Sequence, residues 1–192
     1  MARGKLLLVI GPTGSGKSTL MRHAIERFPE LGVLNSYTTR ARRPDHVEND
    51  HYRFVSVDEF KAMIEKGEFL EWAEFSGNYY GTRKEDVEAC IADGTVVIKE
   101  MEVQGVRQTK ELLPEDDVLT IFIDAGPWEV LMDRAVKRDH MDEQELARRK
   151  ARYDDEVTFM PEADVIIDNG SGMREAADRA FESVIARVLA GT

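Results

Sequence analysis

Residues Gly11, Pro12, Thr13, Gly14, Ser15, Gly16, Lys17 and Ser18 have the spacing G-x-x-x-x-G-K-[ST], the pattern of a loop that wraps nucleotide phosphates. The glycines let backbone N–H groups converge on phosphate oxygens, and a following helix N-terminus adds positive potential. Lys17 is placed to reach the β- and γ-phosphates, and the Ser18 hydroxyl to ligate Mg²⁺. The pattern carries weight only between a strand and a helix. Both are expected here, a buried parallel strand at Leu6–Ile10 and a helix opening at Thr19 and running through Ile25. A nucleoside triphosphate site over residues 11–19 is the first expectation.

The rest of the chain limits what such a site serves. With 192 residues and 42% hydrophobic content, a single α/β domain with a modest insertion is expected. No apolar stretch approaches membrane-spanning length, and the five-residue apolar run before the loop does not make a secretory signal. The single cysteine, Cys90, cannot form an internal disulfide and falls on an expected helix face, where core packing is its ordinary role. A reducing, cytoplasmic setting fits this usage. A net charge of −11 argues against a general nucleic-acid surface. Basic residues gather instead at Arg40, Arg42 and Arg43, and again at Arg148, Arg149, Lys150 and Arg152, as suits small anions. Either group alone reads equally well as a solvated face.

The elements that must position these residues follow from pattern. Gly32–Asn35 predicts a short strand, 36–51 a polar, arginine-rich loop, and Tyr52–Val55 another strand. Ser56-Val57-Asp58-Glu59 matches a capping box and starts a helix to about Lys66. Strands are expected at Glu68–Phe75, Asn78–Gly81, Thr95–Lys99, Val118–Ile123 and Val165–Asp168. Helices are expected at Lys84–Ala92, Val103–Leu113, from Pro127 to about Arg138, and Met173–Leu189, with 139–156 partly helical. The alternation predicts a doubly wound parallel sheet. Its core is about 1–35, 91–138 and 157–192, with an inserted substrate lobe over about 36–90 and a lid over about 139–156.

A triphosphate loop does not name an acceptor. Arginines suit a phosphate because the guanidinium donates two parallel hydrogen bonds, and tyrosine hydroxyls add neutral donors. Tyr52 and Tyr80, taken singly, read as packing, and Glu71 as a surface charge. Several longer segments change that reading: G-P-T-G-S-G-K-S-T-L at 11–20, S-Y-T-T-R at 36–40 and Y-R-F-V-S-V-D-E-F at 52–60. To these add F-L-E-W-A-E-F-S-G-N-Y-Y-G-T at 69–82 and E-V-Q-G-V at 102–106. The chain resembles the guanylate kinases, which phosphorylate GMP with ATP, over essentially its full length. The resemblance implies GMP phosphate contacts at Arg40, Arg43, Tyr52 and Tyr80, and guanine contacts at Ser36, Glu71 and Thr82. It also implies that Glu102 helps hold GMP, that Glu100 faces metal and phosphates, and that Arg134, Arg138 and Arg149 act from the lid. Mg²⁺ and ATP are the implied cofactor and co-substrate, with dGMP a second acceptor.

Base chemistry agrees. Guanine offers two adjacent donors, N1–H and N2–H₂, which one carboxylate such as Glu71 accepts together, while adenine presents an acceptor at N1. The chain departs from the family's usual pattern at Asp45-His46, at Arg138-Asp139-His140-Met141-Asp142, at Lys150 and at Asp168-Asn169-Gly170. Those departures bear on lid closure and on the adenine side of the ATP site. Two other readings compete: a kinase for another phosphorylated acceptor, and a guanylate-kinase-like scaffold module that binds protein partners. The intact loop, with Lys17 and Ser18, argues against the scaffold. Oligomeric state is not set by the sequence.

Overall fold

β1 (Lys5–Ile10) is completely buried from Leu6 onward, and that fixes the architecture. It pairs in parallel with β7 (Val96–Glu100) on one side and with β8 (Val118–Asp124) on the other. β2 (Gly32–Val33) and β9 (Val165–Asp168) complete a five-stranded parallel sheet of order β2-β7-β1-β8-β9. A continuous apolar run suits such a strand, because helices must cover both faces of a parallel sheet. Leu6, Leu8 and Ile10 pack on one face with Val87 and Ile91 of α3 (Lys84–Ala92) and Val103 and Val106 of α4 (Val103–Leu112). Leu7 and Val9 pack on the other, against α1 (Lys17–Arg27) and α7 (Arg174–Gly191), through Leu20, Ala24, Phe181 and Ile185. The sheet is doubly wound, as the alternation predicts.

These positions come from a computed structural model that describes residues 3–42, 52–75, 77–136 and 143–191; for 75, 133–136 and 143–145 it describes backbone alone. Among the described residues, no helix is long and apolar enough to cross a membrane.

A second, four-stranded sheet has the order β4-β3-β6-β5. It is built from β3 (Ser36–Thr38), β4 (Tyr52–Phe54), β5 (Phe69–Phe75) and β6 (Asn78–Arg83). β3 lies within the segment 36–51 that the sequence predicts as loop. Its three residues carry no alternation of their own. They become a strand by pairing in parallel with β4 and antiparallel with β6. Non-local pairing of this kind leaves no local signal. Under the sheet, Phe60 of α2 (Val57–Glu65) stacks on Phe69 with ring centroids 4.3 Å apart.

The remaining helices are α5 (Trp128–Val136) and α6 (Glu143–Thr158), the latter filling much of the charged segment expected to be partly helical. Cys90 packs half-buried against the α3/α4 core, the role expected of it.

The capping box at α2 is fully formed: the Glu59 N–H donates to Ser56 Oγ at 3.2 Å, and the Ser56 N–H to Glu59 Oε2 at 2.8 Å. Ser56→Ala removes the cap and is expected to lower stability by about 1 kcal/mol. Urea unfolding checks this, with a lower midpoint and an unchanged slope as the predicted result.

Candidate active site

The loop after β1 owes its shape to contacts that leave no room for side chains. At Gly11, φ is +140° and a Cβ would meet the Ile123 carbonyl oxygen of β8 at 2.5 Å. At Gly16, the N-cap of α1, φ is +94° and a Cβ would meet Asn169 Nδ2 at 2.5 Å. Asn169 donates that amide to the Ser15 carbonyl at 2.6 Å, and its own N–H to the Asp124 carbonyl at 2.6 Å. It therefore ties the end of β9 to both β8 and the phosphate loop. The sequence reading noted Asn169 only as a departure on the adenine side; a side chain that braces a loop across 154 positions has no local signature.

Lys17 is buried and folded back, its Nζ donating to the carbonyls of Gly11 and, at 3.2 Å, Pro12. Its Nζ also lies 3.4 Å from Glu100 Oε1 at the end of β7. The Ser18 hydroxyl donates to Glu100 Oε2 at 3.3 Å. Ser15 Oγ is buried with no hydrogen-bond partner among the described residues. A folded-back lysine, an orphaned hydroxyl and a helix N-terminus together fit a polyphosphate. Ser18 and Glu100 offer the hard oxygen atoms that Mg²⁺ prefers, and Mg²⁺ usually takes few protein ligands and keeps several waters.

A cavity of about 320 Å³ opens between the second sheet and the C-terminal end of β7. Ser36, Arg40, Tyr52, Glu71, Tyr80 and Lys99 line it, and Glu100 and Glu102 close one side. A neighbouring hollow of about 630 Å³ runs on to Ser18 at the phosphate loop, sharing Ser36, Tyr52, Lys99 and Glu100 with the first. The Arg40 guanidinium lies 5.1 Å from the centre of the Tyr52 ring, and the Tyr52 and Tyr80 rings are 6.1 Å apart, edge to face. These three residues form one polar end. The other end is Glu71, on β5.

Burial pushes the Glu71 carboxyl above its usual range; Lys99 and the Thr82 hydroxyl oppose that shift and Glu102 adds to it. Thr82 is fully buried and donates to Glu71 Oε1. Its hydroxyl is thus engaged with the carboxylate, and it is not among the residues that line the cavity. Gly105 on α4 allows the approach from the other side, since a Cβ there would lie 3.2 Å from Glu71 Oε2.

A sequence model described as "Guanylate kinase" matches residues 3–185. The chain belongs to the guanylate kinase family. A guanylate kinase of Thermosynechococcus vestitus is 45% identical over 166 residues, covering 86% of this chain and 86% of that protein. One of Rubrobacter xylanophilus is 40% identical over 191 residues, covering 100% of this chain and 98% of that protein. The crystal structure of guanylate kinase from Anaplasma phagocytophilum superposes with a TM-score of 0.70 at 25% identity, over 97% of this chain and 87% of that one.

Of the residues that the family resemblance assigns, the structure brings Ser36, Arg40, Tyr52, Glu71, Tyr80, Glu100 and Glu102 around one cavity. Arg43 and Arg138 lie outside the described residues, as does the side chain of Arg134. Arg149 is half-buried on α6 and shares a small hollow with Pro12 and Thr13 of the phosphate loop.

Glu156, two turns on from Arg149 on the same face of α6, has no sequence pattern that marks it. It is 7% exposed, lines the same hollow, and its Oε2 has no hydrogen-bond partner among the described residues. Burial pushes its carboxyl up to about 7, with Lys17 and Arg152 opposing and Glu102 and Glu100 adding. The folded state therefore holds a proton that the unfolded chain releases above its ordinary 4.5. The stability this contributes is full below pH 4.5 and is lost as the pH rises through about 7. Glu156→Gln stays neutral throughout. Its stability relative to the parent is expected to improve from pH 4.5 to about 7 and then level off; a pH-independent difference in urea midpoints contradicts this assignment.

Proposed function

We propose that the chain transfers the γ-phosphoryl group of ATP to GMP, giving ADP and GDP, with Mg²⁺ bound beside Ser18 and Glu100. The observation that carries the reading is the cavity with Glu71 at one end and Arg40, Tyr52 and Tyr80 at the other, continuous with the phosphate loop. A carboxylate matches guanine's adjacent N1–H and N2–H₂ donors and opposes adenine N1. Thr82 orients that carboxylate. The arginine and the tyrosines suit the acceptor's phosphate, with Arg43 completing the set.

Chemistry at this site needs alignment and charge neutralisation more than proton transfer. The nucleophile is a phosphate oxygen of GMP, already anionic at neutral pH, so no hydroxyl has to be deprotonated. Its P–O bond to the γ-phosphorus forms as the bond to the ADP oxygen breaks, and the electron pair leaves on ADP. Lys17 would exchange its contacts with the carbonyls of Gly11 and Pro12 for phosphate oxygens. Arg149, with Arg134 and Arg138, supplies further positive charge from the lid and excludes water that would hydrolyse ATP. Ser18 and Glu100 would hold a Mg²⁺ ion, which would neutralise phosphate charge. dGMP is expected as a second acceptor, because none of the assigned contacts requires the ribose 2′-hydroxyl.

A coupled assay of ADP formation tests the reaction, with ATP, Mg²⁺ and each of GMP, dGMP, AMP, CMP and UMP. Selective turnover of GMP is the expected result; higher efficiency with another base, or no turnover at all, overturns it. Lys17→Ala is expected to lower kcat by about 10²- to 10³-fold, the usual loss when one preorganised phosphate donor is removed. Glu71→Gln should lower kcat/KM for GMP by about 10- to 100-fold, because one guanine donor is left facing an amide N–H₂. Because burial raises the Glu71 carboxyl, KM for GMP is expected to rise on acidification from a pH above the ordinary carboxylate range. Loss of that acid limb in Glu71→Gln is the check.

A further inference from the structure

Lys99 is a buried, charged side chain on the cavity wall to which the family resemblance gives no role, and its position is costly. It is the fourth residue of β7, 5% exposed, and its alternation along the strand places it on the same face as Val97, towards α4 and the second sheet. An ammonium removed from water loses several kcal/mol of solvation unless its neighbours replace it. Burial lowers the Lys99 ammonium to about 8, with the Glu71 carboxylate opposing the shift. An apolar residue would fill the same space without that cost. Lys99 Nζ lies 2.5 Å from Ser36 Oγ, and both residues line the cavity and the adjoining hollow.

The hydrogen-bond inventory decides what that contact does. An ammonium has three donors and no acceptor, so Ser36 Oγ must accept from Lys99. The hydroxyl's own proton is then directed elsewhere, and Ser36 is half-buried at the edge of the cavity. Without a donor-only partner, a serine hydroxyl rotates to donate or to accept as its neighbour requires. Thr82 cannot supply this polarity, since its proton is committed to Glu71.

We propose that Lys99 is a specificity-determining positioning residue, which fixes Ser36 as a hydrogen-bond donor towards the purine 6-substituent and so favours the 6-oxo group over a 6-amino group. This rests on the guanylate reading of the cavity. Glu71 then reads the 1- and 2-positions of the base, while the Lys99–Ser36 pair reads position 6. Adenine meets a donor facing its amino group and an acceptor facing its N1, two mismatches in one pocket.

Three acceptors separate the two halves of this reading: GMP, IMP (6-oxo but no 2-amino group) and AMP (6-amino). In Lys99→Met, kcat/KM for GMP and IMP is expected to fall together by about 10-fold, mainly through KM, the usual scale for one misaligned hydrogen bond. The AMP value is expected to hold, so the GMP/AMP ratio narrows while the GMP/IMP ratio stays. Ser36→Ala should reproduce the loss, and Ser36→Ala with Lys99→Met should lose no more than either alone. A GMP/AMP ratio within about twofold of the parent overturns the proposal, as does an equal fall in kcat for all three acceptors. Losses that multiply in the double variant overturn it too, since Lys99 would then act independently of Ser36. Lys99→Leu covers a failure of Lys99→Met to fold: it offers no donor to Ser36, so the ratio must narrow there as well, and an unchanged ratio counts against the proposal. If the parent enzyme turns over no GMP, the guanylate reading fails and takes this inference with it. If the parent is GMP-selective and only the Lys99 variants are silent, the inference alone fails.

Discussion

Everything in this molecule hangs on β1. It is buried on both faces and hydrogen-bonded in parallel on both edges. A strand so enclosed has one register, and its C-terminal end has one position. From that end leads the phosphate loop, and beside it β7 delivers Lys99 and Glu100. The approach of Gly11 to the Ile123 carbonyl and the brace from Asn169 to Ser15 then fix the loop's path without a ligand. The triphosphate site is thus a by-product of the sheet's packing, since crevices at the carboxyl ends of parallel strands are where open α/β sheets bind ligands.

The acceptor site has a different physical basis. It is a small polar floor held together by charges taken out of water. Lys99 is removed from solvent and Glu71 is partly so, and each offsets part of the other's desolvation. Such a pair adds little to stability when compared with well-packed apolar residues. On the proposed reading its value lies in fixed polarity: an acceptor at Glu71 and a donor at Ser36 would not exchange roles. Selectivity of this kind comes from the mismatch imposed on the wrong base, because buried polar groups left facing like partners are expensive.

How much of this the sequence discloses depends on whether its cause is local. The phosphate loop, the capping box at Ser56 and the run Leu6–Ile10 are legible, because their spacing is itself the physics. β3 is not legible. Ser36–Thr38 is polar and short, and only its two strand partners make it a strand. Glu71 becomes legible through the resemblance of residues 69–82 to the guanylate kinases, whereas its burial and the Thr82 hydroxyl bonded to it belong to tertiary structure. Lys99 resembles the polar end of an ordinary strand, and Glu156 one more charge on a charged helix; a sequence shows neither the burial of the one nor the proton held by the other. Asn169 acts through a contact between residues 154 positions apart in the chain.

The central claim is that a buried, polarity-fixed floor selects guanine before any chemistry occurs. Calorimetric titration of the enzyme with GMP and with AMP, in the absence of ATP, tests it most directly. The account predicts a GMP dissociation constant at least about 100-fold tighter than that for AMP, as two opposed hydrogen-bond positions imply. Equal affinities for the two nucleotides, with selectivity present only in turnover, would contradict it.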